Sequence, residues 1–214
     1  FLVRACNSAI EAGADRISFA DTLGTLRPHE MYERVRDLRA RLLPCKIDLH
    51  CHDDYGLALA NALEGLRAGA DCVHTTVNGM GERTGTPAPS ETTLAMRTLM
   101  GIDQYDLWGL MDLSAYLESV TGFFVAPNKP ITGVNAFTHK SGVHTNGVLK
   151  DPRTYENFDP AILGRERRIV IDKYTGKRAV EARLVEYDLT VSPEELGLIV
   201  EEIKRVGDER KFLH

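Results

Sequence analysis

The chain reads as an α/β protein, a run of βα units followed by a mainly helical appendage, and three observations carry that reading. Ala12-Gly13-Ala14-Asp15 returns as Ala68-Gly69-Ala70-Asp71, 56 positions later. Each copy is followed by an apolar, strand-like run, and one strand–helix unit lies between them, so the period is 28 residues per βα unit. Repeated βα units of this size make a parallel sheet, open or closed. A closed barrel of eight units needs about 250 residues. Only three strands can be read before the pattern stops near residue 103, so a barrel here would lack most of its strands.

The elements follow in order. Residues 1–13 end a helix, with Leu2, Ala5, Cys6, Ala9 and Ile10 at helical spacing. Gly13 stops it ahead of the strand 16–22. Pro28 opens a helix whose apolar face is Met31, Val35, Leu38 and Leu42, and Pro44 ends it. A strand is expected at 46–52 and a helix from about 56 to 68, carrying Leu59, Leu63 and Leu66. The third strand is expected over Cys72–Val77, which would make His74 an interior residue. From 104 the character changes. A helix is expected around 104–120, then a loop-rich stretch with Gly122, Pro127, Asn128, Pro130 and Gly133. Residues 135–149 fit no simple pattern. Two amphipathic helices finish the chain, about 176–187 and 192–206. The second has Ser192 as N-cap, Pro193 at its first position, Glu195 completing a capping box, and Leu196, Ile199, Ile203 and Val206 as its buried face. The domain reading is therefore 1–103 for the βα part and 104–214 for the helical part.

Composition narrows the function. The 214 residues are 43% hydrophobic, with net charge −5. Nothing in that balance calls for a nucleic-acid partner or an anionic membrane. No apolar run approaches the roughly 20 residues of a membrane span, and no signal peptide is read. Cys6, Cys45, Cys51 and Cys72 have neither knuckle nor disulfide spacing. The expected setting is reducing and cytoplasmic. The first residue is Phe1 rather than Met, so the chain is expected to begin inside a longer protein.

Parallel α/β folds place their sites at the C-terminal ends of strands, and all three strands end in polar residues. They are Asp21-Thr22-Leu23-Gly24, His50-Cys51-His52-Asp53-Asp54 and Asn78-Gly79-Met80-Gly81-Glu82-Arg83-Thr84-Gly85. His50 and His52 are two apart, so on a strand they share a face and can grip one divalent cation; imidazole suits Zn, Mn, Co or Fe. A pair of exposed histidines at a polar strand end is the bland alternative. Cys51 should face the core. An oxygen ligand is still needed. Asp53 and Asp54 are near, but beyond the strand end their direction is open. The Gly79–Gly85 loop matches neither standard phosphate-loop pattern.

The run LHCHDDYGLALAN resembles the H-x-H block of the acetyl-CoA-dependent 2-oxo acid condensing enzymes, the 2-isopropylmalate, homocitrate and citramalate synthases. ADTLG and GMGERTG resemble two further blocks of that family. NKPITGVNAFTHKSGVHTNGVLKDPRTYE and GRERRIVIDKYTGKRAVEARL resemble segments that follow its barrel. The similarity spans essentially the whole chain. It departs where many relatives have G-E-R-x-G-N, since this chain has Gly85-Thr86-Pro87.

The resemblance implies the C-terminal part of a (β/α)8 TIM barrel followed by helical subdomains, with the third protein ligand of the metal on a first strand that this chain lacks. It implies a divalent metal (Zn, Mn, Mg or Co) held by His50 and His52, and acetyl-CoA as co-substrate. It implies Claisen condensation with a 2-oxo acid. The Phe137-Thr138-His139-Lys140, Pro130–Gly133 and Arg205–Arg210 wording is closest to homocitrate synthases of lysine biosynthesis, which take 2-oxoglutarate, while Asn146–Lys150 is closer to isopropylmalate synthases. His144 is implied as the proton-transfer residue, reaching the partner's site in a homodimer, with Tyr155 and Glu82 as further catalytic candidates. Thr22, Arg83 and His139 are the substrate-binding candidates. Glu82 and Arg83 can instead pair with each other or help hold their loop, and His139 and Tyr155 can instead be packing residues or hold a loop. Two rival readings stand beside this one. A metal-dependent aldol lyase shares the H-x-H strand. A catalytically incomplete fragment or paralogue would serve assembly alone, and the chain by itself is expected not to turn over.

Overall fold

A computed structural model describes residues 1–140, 142–171 and 173–209. Ser141, within the Phe137–His144 stretch, and Arg210, at the end of the Arg205–Arg210 wording, lie outside the described residues. The chain packs as two units, one of residues 1–125 with 130–132, the other of 126–129 with the remainder.

The first unit runs α1 (Leu2–Glu11), β1 (Arg16–Asp21), α2 (Pro28–Arg41), β2 (Lys46–Cys51), α3 (Ala58–Arg67), β3 (Cys72–Val73), α4 (Pro89–Met100) and α5 (Leu110–Thr121). The strands form one parallel sheet in the order β1-β2-β3. The Ala-Gly-Ala-Asp repeat does the same work twice. Gly13 and Gly69 take φ of +104° and +106°, a region open to glycine. In both copies the next alanine N–H closes the turn, Ala14 on Ala9 and Ala70 on Gly65, each at 3.0 Å. The aspartate then ties the strands: the Asp15 carbonyl accepts from Lys46 N–H, and the Asp71 carboxylate accepts from Ile47 N–H.

Strand alternation sorts the faces of β2. Ile47, Leu49 and Cys51 are fully buried against Met31, Val35 and Leu38 of α2 and Ala58 of α3. Each large apolar side chain so placed stabilises the fold by about 1.5–3 kcal/mol. Asp48, His50 and His52 take the opposite face.

Two helices rotate relative to the expected faces. In α1 the inward residues are Val3, Cys6, Asn7 and Ile10, while Leu2, Ala5 and Ala9 are exposed. In α3 Ala58, Asn61, Ala62 and Gly65 are buried, and the leucines only partly so. The reason is distance. A Cβ on Gly65 would stand 2.3 Å from Leu49 Cδ1, so the helix rides too close to the sheet for large side chains. The third strand is shorter than expected because the returning loop takes its bonds. Thr76 N–H goes to the Pro87 carbonyl, and the chain turns into a 3-10 helix at Val77–Gly79. The helix expected from 104 starts at Leu110, after Gly109 at φ +88°. It is held in the first unit by Asn78, whose amide donates to the Ser114 carbonyl and accepts from the Ser114 hydroxyl. The change of composition at 104 and the change of packing near 125 are thus different boundaries.

The second unit contains β4 (Thr138–His139), α6 (Gly142–Lys150), β5 (Arg168–Ile169), α7 (Lys177–Glu186) and α8 (Pro193–Glu209). β4 and β5 pair in parallel. The capping box of α8 forms as expected, with Ser192 N–H on Glu195 at 2.7 Å and Glu195 N–H on Ser192 at 3.2 Å. Leu196 and Val200 are its buried residues, flanked by Ile199 and Ile203. No described helix is long and apolar enough to cross a membrane.

Candidate active site

The C-terminal ends of the three strands meet. His50 and His52 lie side by side, ring centroids 5.0 Å apart and nearly perpendicular. Between them Cys51 is buried in the core on the opposite face of the strand, away from the two rings, and burial followed by the nearby Asp21 pushes its thiol up to about 12. Burial, then His52 and His74, holds His50 below its ordinary pKa. His74 is not interior. With β3 ending at Val73, its side chain is 43% exposed, and its ring faces His50, Nδ1 to Nδ1 at 3.2 Å.

The two aspartates after the histidines are both committed elsewhere. Asp53 accepts from Ala58 N–H at 2.8 Å, closing the first turn of α3. Asp54 takes the Arg83 guanidinium in a fork, both contacts 2.8 Å, which holds its carboxyl below the usual range. Arg83 therefore pairs with Asp54 rather than Glu82, and its Nη2 also donates to the Thr22 carbonyl at 2.8 Å. One guanidinium thus ties together all three strand ends. Thr22 and Glu82 are exposed at the rim. The loop closes on itself: Gly85 has φ +86°, and a Cβ there would sit 1.7 Å from the Gly79 carbonyl oxygen. Thr86 is buried, its hydroxyl 2.8 Å from that of Thr76.

The donor set fits a divalent cation as a two-nitrogen half-site. His52 Nδ1 is buried without a hydrogen-bond partner, and neutral imidazoles on one strand face are the right chemistry. Among the described residues no group of three or more His, Cys, Asp or Glu side chains could hold a metal.

The second unit has its own cluster. His144 is exposed on α6 and stacks on Tyr155, ring centroids 4.2 Å apart at 29°. Gly147 permits that stack, since a Cβ there would meet Tyr155 Cε2 at 2.5 Å. Beside it Glu156 is almost fully buried. It receives His139 Nε2 at 3.0 Å and Arg167 at 2.9 Å. Burial raises its pKa, but the Arg167 and His139 hydrogen bonds outweigh burial and leave the carboxyl below the ordinary value. His139 is thus engaged in holding the loop that carries Tyr155.

Sequence reasoning missed His74 as a neighbour of His50, along with the Asn78–Ser114 and Glu156–Arg167 pairs. No local signal marks any of them: His50 and His74 stand at different offsets from their strand starts, Lys46 and Cys72, and only the register brings them level.

Residues 1–117 match the HMGL-like family model, and residues 131–211 match the model described as homocitrate synthase post-HMGL domain-like. Homocitrate synthase AksA of Methanothermobacter thermautotrophicus is 43% identical over 215 residues, covering 100% of this chain and 55% of that protein. A provisionally named (R)-citramalate synthase CimA of Archaeoglobus fulgidus is 44% identical, over 99% of this chain and 43% of that protein. A provisionally named 2-isopropylmalate synthase of Methanopyrus kandleri is 40% identical, over 99% and 42%. The chain spans about half the length of the curated relatives it matches. Among solved structures, the HMG-CoA lyase of Bacillus subtilis superposes with a TM-score of 0.50 at 25% identity, over 58% of this chain and 44% of that one. The three parallel strands with their helices are part of a TIM barrel, followed by a largely helical part. On the match over its first 117 residues, the chain belongs to the HMGL-like family.

Proposed function

We propose that this chain is the C-terminal portion of an acetyl-CoA-dependent acyltransferase that condenses the acetyl group with a 2-oxo acid. The observation that carries the reading is the pairing of two matches in one chain, the HMGL-like part with the His50/His52 strand and the post-HMGL part with His144 and Tyr155. The second match favours a synthase over the aldol lyase, whose solved structure covers 58% of the chain.

His50 and His52 are the protein's nitrogen ligands for a divalent cation. When bound, that cation supplies Lewis acidity at the ketone oxygen of the 2-oxo acid. Thr22 offers its exposed hydroxyl to the substrate carboxylate. Arg83, already forked onto Asp54, fixes the rim on which Thr22 and Glu82 sit. His144 removes a proton from the acetyl methyl, because imidazole is the side-chain type best suited to general acid–base work at neutral pH. Tyr155 holds the His144 ring by stacking, and His139 anchors the Tyr155 loop through Glu156. The new carbon–carbon bond joins the acetyl methyl carbon to the ketone carbon, and water then cleaves the thioester, releasing CoA. His144 acts on the partner's site in a homodimer. Mixing a His144→Ala protein with a His50→Ala protein should then restore part of the activity that each lacks.

The preferred 2-oxo acid is 2-oxoglutarate, giving homocitrate. The Phe137–Lys140 and Pro130–Gly133 wording supports it, while relatives named for three different products match at 40–44% identity. A distal carboxylate needs a cationic or hydrogen-bonding partner, and an isopropyl group needs an apolar wall. The test is CoA release with 2-oxoglutarate, 2-oxoisovalerate and pyruvate, in a polypeptide whose barrel is complete. Preference for 2-oxoisovalerate or pyruvate moves the assignment to isopropylmalate or citramalate synthesis. Release with none of the three, by a protein that holds its cation, favours an assembly role.

A further inference from the structure

His74 is unexplained by the reaction as described. The parallel register pairs Asp48 with Cys72 and Leu49 with Val73, and His74 N–H continues it onto the Leu49 carbonyl at 2.9 Å. His74 therefore stands level with His50 and shares its face. Their Nδ1 atoms are 3.2 Å apart. A contact between two neutral imidazole nitrogens at that distance needs one N–H and one lone pair. The far side of His74 decides which is which. Its Nε2 points toward Asp48, 3.8 Å from Oδ2. Asp48 is buried, and its other oxygen takes Arg16 at 2.6 Å. A carboxylate on that side favours the proton on His74 Nε2, which leaves His74 Nδ1 as the lone pair. His50 Nδ1 must then carry the hydrogen.

We propose that His74 is a positioning residue for His50: it accepts the His50 Nδ1 hydrogen, fixes that tautomer, and so leaves the His50 Nε2 lone pair open to a divalent cation. The inference rests on the reading of His50 and His52 as cation ligands. It adds a residue that touches neither cation nor substrate. Partners of this kind on the remote nitrogen of a ligand histidine orient the ring and raise its basicity.

Two measurements test it. The first needs no cation. Long-range nitrogen–proton correlation spectra of the purified chain, with its histidines labelled, should show His50 protonated on Nδ1 and His74 on Nε2. The reverse tautomers overturn the proposal. The second titrates Co2+ alone into a polypeptide whose barrel is complete and follows heat and the visible band. His74→Phe, which removes the acceptor, should weaken Co2+ about 10- to 100-fold. His74→Asn places an amide oxygen where Nδ1 was, and should retain most of the affinity with the parent's band. Equal binding by His74→Phe, or equal loss in both variants, overturns the proposal while the cation site stands. A band shifted in His74→Asn makes His74 a ligand and overturns the positioning role. If the parent binds no Co2+, or His50→Ala binds it as the parent does, the cation reading falls and this inference with it.

Discussion

The two clusters of candidate residues are built on opposite principles. Around His50 and His52 the backbone does the placing. Strand alternation sets the faces, parallel register sets the neighbours, and apolar side chains on the reverse of β2 lock the strand. Around His144 and Tyr155 side chains do the placing. A short helix, one close approach at Gly147 and a buried carboxylate with two basic partners hold a stretch that has little regular structure. A site on a strand inherits its precision from the sheet. A site on a loop needs its own ionic clamp, and that clamp titrates.

The largest effect expected is on the strand-built site. In a complete enzyme His50→Ala and His52→Ala should each remove most bound cation, read by metal content and calorimetry. Full retention in both would dissolve the contrast, because the strand face would then hold nothing. Next in size is the loop-built site. In a complete enzyme His144→Ala should lower turnover by about 10²–10⁴-fold, with much less change in the Michaelis constant for the 2-oxo acid. Near-normal turnover would leave His144 as a surface stack on Tyr155.

The clamp comes third. Glu156→Gln should destabilise the second unit by about 1.5–3 kcal/mol at neutral pH, the usual worth of hydrogen bonds to a charged group. Its folded pKa is depressed, so the stabilisation is present above the ordinary carboxylate value of 4.5 and is lost as pH falls through the lowered one. The difference between parent and variant in denaturant midpoint should therefore shrink below that pH. A gap that is constant across the acid range would mean the carboxylate is not the clamp.

The smallest effect sharpens the comparison through two glycines. A Cβ at Gly65 meets Leu49, fully buried in the core, while one at Gly147 meets Tyr155, which is 43% exposed. Gly65→Ala should cost about 1–3 kcal/mol from overpacking, reduced by up to about 1 kcal/mol of helix propensity. Gly147→Ala should cost little stability, because the tyrosine can swing out, but should lower turnover. Equal stability losses at the two positions would show the second cluster to be packed as rigidly as the first.

Residues 1–70 were largely legible because their signals are local. The Ala-Gly-Ala-Asp repeat, proline starts and alternation on β2 need only a few neighbouring positions, and they place His50, His52 and Cys51 correctly. The helix faces of α1 and α3 misled because size and burial diverge there; the close helix–sheet approach selects Gly65 and the alanines over the leucines. The Arg83 partner stayed open between Glu82 and a loop-holding role, because Asp54 is adjacent in space and distant in sequence.

What the sequence determined by itself is the order of βα units, the face on which the histidines stand, and the caps that begin and end the helices. These follow from backbone periods and from residues within one turn of each other. Only the tertiary structure decided that Arg83 joins three strand ends, that His74 meets His50, and that Glu156 gathers His139 and Arg167. Each of those contacts joins residues 11 to 61 positions apart. No local period encodes such a meeting; it arises from register and packing once the sheet and the loops have formed.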